Sequence, residues 1–449
     1  MTYLNTSQSQ SRDDEIQRTG KKPALNDFLS QGKLLEQVLL PENLQKAWKR
    51  VRSNKGAPGI DGTTIEQFPD FIKEYGQIIL TQLRDGTYQP TAVRRATIRK
   101  PDGGERLLGI PIILDRWIMQ AIAQILSSMY EPGFSEFSYG FRPGRSQHMA
   151  IEQVRKSISK GRKIAVDVDL SKFFDRVDHD YLMSKLGLNI KDKSLMQLLG
   201  KYLRAGIMDS DGQYFESRIG VPQGSPLSPL LSNIVLDELD KELERRGHHF
   251  ARYADDFIIL VRSQRAGKRV LDNVTQYVQK QLKLKMNEQK SQVVPIAQSK
   301  FLGFSFKGKW LVWHPKALSQ FQWNIRRLTK RTKGISMKIR IKELNQYLTG
   351  WIHYFGIANQ YQLCVELDSW IRRRIRQCYW KQWRKVKTKV RNLLKLGVKQ
   401  KLAVFCGMSS KSYWHSSKTE GINKGLSNKY LKDLGLVSLK EKWVVIHYG

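Results

Sequence analysis

One short run of alternating residues, ending in acid, constrains this chain more than any other feature. From Ile164 to Leu170, the residues Ile164, Val166, Val168 and Leu170 fall on one side. Ala165, Asp167 and Asp169 fall on the other, which is the period-two pattern of a half-buried strand. Further on, Phe250 to Tyr253 and the apolar run Ile258 to Val261 flank Asp255-Asp256, which reads as a hairpin with both carboxylates pushed out at its turn. Carboxylates presented in this way can hold a pair of hard divalent cations, for which oxygen donors suit Mg²⁺ and not zinc. Two such ions roughly 3.5–4 Å apart stabilise both the attacking and the leaving oxygen of an in-line phosphoryl displacement. Alternation alone does not choose between Asp167 and Asp169, and an isolated Asp-Asp pair is ordinarily a solvated turn.

Charge narrows the partners. Lys and Arg number 77 against 41 Asp and Glu, giving +36 over 449 residues, a balance that points to a polyanion such as nucleic acid. The excess is uneven: Arg326 to Lys401 holds 21 Lys or Arg against Glu343, Glu366 and Asp368, a net of 21 − 3 = +18 and half the total. Within it, Trp370 to Lys385 interleaves arginines with Trp370, Tyr379, Trp380 and Trp383, while Ile371, Ile375, Cys378 and Tyr379 recur at helical spacing. One face of that helix is expected to meet a core. Arg372, Arg373, Arg374, Arg376, Lys381, Arg384 and Lys385 are then candidates to track phosphates on the other, with steep salt dependence.

Other segments have their own local logic. Asp102-Gly103-Gly104 is a hairpin signal that sets Lys100 and Arg106 on opposite arms, where two cations can face one triphosphate or be plain solvated charges. Gly220 to Pro229, with three prolines and two glycines, predicts a rigid loop capping a helix whose apolar stripe is Leu231, Ile234, Val235, Leu239 and Leu243. The cysteines are Cys364, Cys378 and Cys406, none closely paired, so neither zinc nor a disulfide framework is expected and a reducing cytoplasm is the natural compartment. His248-His249 reads as a surface pair. Met1 to Lys22 is polar with no apolar stretch, which predicts a disordered leader over residues 1–32 and no signal or membrane anchor.

Taken in order, these segments resemble the motifs of group II intron reverse transcriptases. Asn54 to Gly62 looks like their opening block, Ile98 to Pro111 like the fingers hairpin, and Ser138-Tyr-Gly-Phe-Arg-Pro-Gly-Arg145 like the block that follows. The Asp169 strand, the Pro-Gln-Gly loop, the Tyr-Ala-Asp-Asp turn, Leu284 to Lys290 and Phe301 to Phe306 complete the series. Leu344 to Gly356 is similar to the start of the maturase, or X, domain. Ser412 to Leu436 is similar to the tail of bacterial class C proteins, which lack the His-Asn-His endonuclease.

The resemblance implies an α+β right-hand polymerase, with fingers and palm over residues 33–308, a helical thumb and maturase domain over 309–400, and a basic tail over 401–449 that either contacts nucleic acid or closes the thumb. It assigns Asp169 and Asp255 as ligands of two Mg²⁺ ions, with Asp256 supporting and the Leu170 backbone oxygen as an additional ligand. It gives Lys100 and Arg106 to the triphosphate, Gln223 and Gly224 to the templating pair, and Lys290 to pyrophosphate. Phe174 would lie beneath the sugar and exclude a 2′-hydroxyl, although as Phe173's neighbour it reads equally well as core. The implied partners are the parent intron RNA, target DNA and deoxynucleotides, with no membrane and no zinc. The implied activity is RNA-templated DNA synthesis combined with assistance to splicing and retrohoming, primed from a source such as a nascent strand. An RNA-templated RNA polymerase, a non-catalytic splicing factor and an intron-free repair or defence enzyme are the competing readings.

Overall fold

The computed structural model describes residues 33–99 and 104–449, and the chain divides into two compact units, 1–295 and 296–449. The leader expected over residues 1–32 lies outside the described residues, as do Lys100 and the tip of the hairpin at 102–103.

The first unit is built on two sheets. Strands β1 (Val93–Arg99) and β2 (Glu105–Ile110) pair antiparallel, with Ile98 level with Arg106 and Arg99 level with Glu105. Two short strands, β4 (Ile207–Met208) and β5 (Tyr214–Phe215), extend that sheet in the order β2-β1-β4-β5. The second sheet runs β6-β7-β3-β8, from β3 (Ile164–Asp169), β6 (His249–Tyr253), β7 (Asp256–Val261) and β8 (Gln292–Pro295), antiparallel throughout.

The alternation read in β3 has its expected consequence. Val166 and Val168 join Phe250, Phe257 and Ile259 in one core. Helix α1 (Ser228–Arg245) contributes Leu231, Ile234, Val235, Leu239 and Leu243 to that core, all buried, and α2 (Gln264–Lys280) adds Val270, Val274 and Val278. Ala165, Ile258 and Leu260 are buried as well, so Asp167 and Asp169 are the polar points of a strand whose apolar residues are buried on both faces.

The second unit opens on the hairpin β9 (Phe304–Lys307) and β10 (Trp310–Trp313), followed by helices. Of these, α3 (Pro315–Leu328) and α4 (Met337–Phe355) meet through aromatic rings: Phe321 lies 4.2 Å from Trp351 and Trp313 4.7 Å from it, centroid to centroid. The aromatics of the Leu344–Gly356 block are thus core-forming side chains, with Trp351 and Phe355 stacked at 4.8 Å.

Helix α5 (Tyr361–Gln382) carries the arginine run, and the last helix, α6 (Leu439–Tyr448), packs on it. The anchor is Asp368, buried within this unit, which accepts hydrogen bonds from Ser438 Oγ at 2.6 Å, Leu439 N at 2.9 Å and Lys440 N at 3.1 Å. One side chain therefore satisfies the open N–H groups of a helix 70 residues later and ties the tail to the helical unit. Among the described residues, no helix is long and apolar enough to cross a membrane.

Asp368→Ala leaves those amides without a partner in a buried position. Thermal unfolding of the variant is expected to show a loss of about 2–4 kcal/mol, with earlier proteolytic cleavage near residue 438. An unchanged melting temperature would show that the cap contributes nothing.

Candidate active site

Strand register decides which acids meet. Asp169, the last residue of β3, is level with Asp256, which in turn is level with Tyr253 of β6. Asp167 lies two residues back, opposite Ile258 and Gln292, and accepts a hydrogen bond from Gln292 Nε2 at 3.1 Å. Burial pushes the Asp167 carboxyl up to about 6. Asp169 thus sits beside the acidic turn, while Asp167 is held within the sheet.

The turn differs in one respect from its sequence reading. The residues outside the ladder are Ala254 and Asp255, so Asp255 alone occupies the turn while Asp256 opens β7 as a paired strand residue. Both are exposed. Ala254 has φ +59°, the sign that a two-residue type I′ or II′ hairpin requires at its first central position, and a cost of roughly 1–2 kcal/mol for a residue with a Cβ.

What holds this strained turn is beneath it. Arg252 is fully buried, and its guanidinium donates to Asp240 (Nε at 2.8 and 2.9 Å, Nη2 at 2.5 Å), Asn233 Oδ1 (2.9 Å), Ser138 Oγ (2.7 Å) and the carbonyl of Ala254 itself (3.0 Å). Burial pushes the Asp240 carboxyl upward, and the Arg252 guanidinium pulls against it. Asn233 completes the network by donating to Gly140 O at 2.9 Å. Gly140 passes so close under the turn that a Cβ there would lie 2.2 Å from Ala254 N, which accounts for glycine in the Ser138-Tyr-Gly block.

Asp169 is positioned from the other side, by the segment that leads into β8. Asn287 donates its side-chain amide to Asp169 Oδ2 (2.8 Å) and its backbone N–H to Asp169 O (2.8 Å), and Ser291 Oγ accepts from Asp169 N (3.1 Å). Lys290, 66% exposed, places Nζ 3.8 Å from the same Oδ2 of the 40% exposed aspartate. Leu170 bridges Met286, and the two flanking hydrogen bonds use Asp169 O and Ser171 N, so the Leu170 carbonyl takes no part in either.

The remaining predicted residues gather around a loop. Gly224 has φ +119°, and a Cβ on it would fall 2.7 Å from Gly109 O of β2. Beside it, Gln223 O accepts from Gly109 N at 2.8 Å, while Gln223 Nε2 reaches Asp175 Oδ1 at 3.4 Å. Phe174 is half-buried, with its ring 5.2 Å from that of the buried Phe173 and its carbonyl accepting from Val221 N at 2.6 Å. The loop is thereby tied both to β2 and to the segment after Asp169. Arg106 is described here only through its backbone, level with Ile98.

The arginine helix calls for a correction. Arg376 is 7% exposed, and its guanidinium is taken up by Leu426 O (2.9 Å) and Asn428 Oδ1 (2.9 Å), so it is a packing residue of the helical unit and not a phosphate contact. Arg374 donates to Thr329 Oγ1 at 2.5 Å, and Arg373 stacks 3.7 Å over Trp414 and donates to its carbonyl. Arg384 and Lys385, beyond the end of α5, are exposed, and Arg372 and Lys381 are half-buried.

Among the described residues, no three His, Cys, Asp or Glu side chains group closely enough to form a complete protein metal site. The donor set at the turn fits a different arrangement, in which two carboxylates and a backbone carbonyl are completed by the ligand's own oxygens. Cys364, Cys378 and Cys406 are buried free thiols.

Comparison with known proteins now bears on this geometry. Residues 98–306 match the family model described as reverse transcriptase (RNA-dependent DNA polymerase), and residues 318–397 match the maturase-specific domain of group II introns. Protein YkfC of Escherichia coli is 33% identical over 321 residues, covering 62% of this chain and 83% of YkfC. The chain belongs to the group II intron-encoded reverse transcriptase and maturase family. The family's Group II intron-encoded protein LtrA of Lactococcus lactis is 30% identical over 341 residues, covering 61% of this chain. The chain spans 56% of the length of LtrA. A solved chain of a partial Cas6-RT-Cas1–Cas2 complex is 28% identical, with a TM-score of 0.37, over 55% of this chain and 42% of its own length. The fold is that of a right-hand reverse transcriptase followed by a helical region, and a reverse-transcriptase domain is in general divalent-metal-dependent.

Motif reading assigned no role to Arg252, Asp240, Asn233 or Asn287, the side chains that brace the two acidic segments. Removing the arginine alone strands Asp240 in the core, so Arg252→Ala is expected to cost about 3–5 kcal/mol in denaturant unfolding. The double variant Arg252→Met, Asp240→Leu is expected to recover most of that stability while leaving primer extension impaired, because the Ala254 carbonyl is no longer held. Recovery of both together would show that the pair serves stability alone.

Proposed function

We propose that the chain extends a DNA or RNA primer on an RNA template with deoxynucleotides, and that it binds its parent intron RNA to assist splicing and retrohoming. The observation that carries this reading is the juxtaposition of Asp169 with the Asp255-Asp256 turn inside the reverse-transcriptase match, followed by the maturase-specific match.

Asp169 and Asp255 would hold two Mg²⁺ ions, with Asp256 supporting them and the Leu170 carbonyl as an additional oxygen donor. Bound there, the ions would supply the charge that stabilises the attacking and leaving oxygens of the transferred phosphoryl group. The chain's own residues do the positioning. Asn287 and Ser291 fix the orientation of Asp169, and Arg252 fixes the turn that carries Asp255.

The loop at Gln223-Gly224, close-packed on Gly109, offers backbone to the templating base pair, and Lys100 and Arg106 would receive the triphosphate on either arm of the β1–β2 hairpin. The half-buried Phe174 offers a ring edge that a ribose 2′-hydroxyl would meet, which selects deoxynucleotides. Lys290 is an exposed ammonium within reach of the site and would protonate the departing pyrophosphate. Target DNA and intron RNA would run over the basic helical unit, with Arg384 and Lys385 as its accessible phosphate contacts and Arg372 and Lys381 at the margin. With no membrane-crossing helix among the described residues and reduced buried thiols, the cytoplasm is the proposed location.

Asp255→Ala is expected to abolish complementary-DNA synthesis while leaving intron-RNA affinity and protein-assisted splicing largely intact, measured on one preparation by primer extension, filter binding and a splicing time course. Equal loss of all three would contradict separate sites for synthesis and RNA binding.

A further inference from the structure

The end of the palm sheet opposite the acidic turn carries a feature that polymerisation does not use. Register brings the start of β3 level with the end of β7, Ile164 opposite Val261, so Arg162 and Arg262 flank the same end of the sheet. His249 begins β6 there, about 13 Å along the strand from the catalytic turn at ~3.3 Å per residue.

Two hollows open at this end and share the Gly247-His248-His249 corner as a common wall. One, of about 400 Å³, is lined by Arg162, Arg262 and Arg269, and the other, of about 440 Å³, by Lys156 and Lys160. Among the described residues, none of these five cations has an ion-pair partner, whereas the nearby Arg245 and Arg246 are both paired with Glu242. The one acid in the lining, Glu244, accepts a hydrogen bond from Ser135 Oγ at 2.7 Å. The end of a helix, Gln147–Ser159, gives Lys156, its cap Lys160 and Arg162, whose backbone N–H donates to Ser157 O, a local electrostatic reason to be there, but it gives none to Arg262 or Arg269, which come from two other segments. Burial, reinforced by Arg162, Lys160 and Arg262, holds the His249 imidazole below the usual range.

We propose that these adjoining hollows form a second phosphodiester-binding site on the far side of the palm, which takes the backbone of a nucleic acid strand that is neither template nor primer. Five cations without an ion-pair partner among the described residues, placed around two adjoining concavities, match a run of successive phosphates better than one compact anion. Cations gathered from the sheet end and the two helices beside it add affinity without base readout, as contacts to phosphate do. The site rests on the reading that this chain handles nucleic acid, but not on its being a polymerase.

The test uses the full chain carrying Arg162→Gln, Arg262→Gln and Arg269→Gln together, with the Arg→Lys triple as a charge-preserving control. Binding to a structured intron-type RNA and to duplex DNA is titrated from 50 to 200 mM salt, beside primer extension on a short template-primer. The Gln triple is expected to lose about tenfold or more in affinity, with the slope of log K against log salt reduced by about 2–3. Its extension rate is expected to be unchanged, and the Lys triple to retain the affinity. Loss on RNA identifies RNA as the occupant and loss on duplex DNA identifies DNA; either supports the site. Unchanged affinity and slope on both would overturn it. Wild-type protein that binds but does not synthesise would sink the polymerase reading while leaving this comparison fully interpretable.

Discussion

A buried guanidinium under an acidic turn is the interaction on which the rest of the first unit depends. Arg252 and Asp240 are both removed from water, and such a pair is costly to assemble, often no better for stability than well-packed apolar residues. Its value lies in geometry. The same guanidinium reaches Asn233 on the long helix, Ser138 on the preceding block and the carbonyl of the strained Ala254. Three segments distant in sequence are thereby locked to one planar fork, and Asp255 is presented from a turn that on its own has an unfavourable backbone conformation. Asp169 receives the corresponding treatment from Asn287 and Ser291, so each carboxylate has its own brace.

Charge is divided in a similar way between inner and outer work. A net +36 invites the view that every arginine is aimed at phosphate, but Arg252, Arg340 and Arg376 are buried and donate to groups of their own unit. The phosphate contacts proposed above are drawn from the exposed remainder, at Arg384 and Lys385 on the helical unit and at the far end of the palm sheet.

Much of this was legible in the sequence because it is local. Period-two alternation placed β3, the apolar stripe from Leu231 to Leu243 placed the helix that covers the sheet, and turn chemistry placed the β1–β2 hairpin around residues 102–103. The Asp167 and Asp169 alternatives could not be separated locally, because both lie on one face; the register with β7 separates them, and register is a long-range property. Arg252 was hidden for the same reason, although Asn233 and Asp240 are seven residues apart on one helical face and are both buried. Arg376 was misplaced because apolar periodicity located the core face of α5 by its Ile and Cys residues and did not reveal that a long side chain beside them had internal acceptors 50 residues away.

The account stands on one claim, that this turn serves RNA-templated DNA synthesis. Its most direct measurement is primer extension by the purified protein on poly(rA) with an oligo(dT) primer and Mg²⁺, supplied in parallel with dTTP or with UTP. The account predicts long products from dTTP and little or none from UTP. A folded, RNA-binding protein that incorporates neither, or that incorporates UTP as well as dTTP, would contradict it.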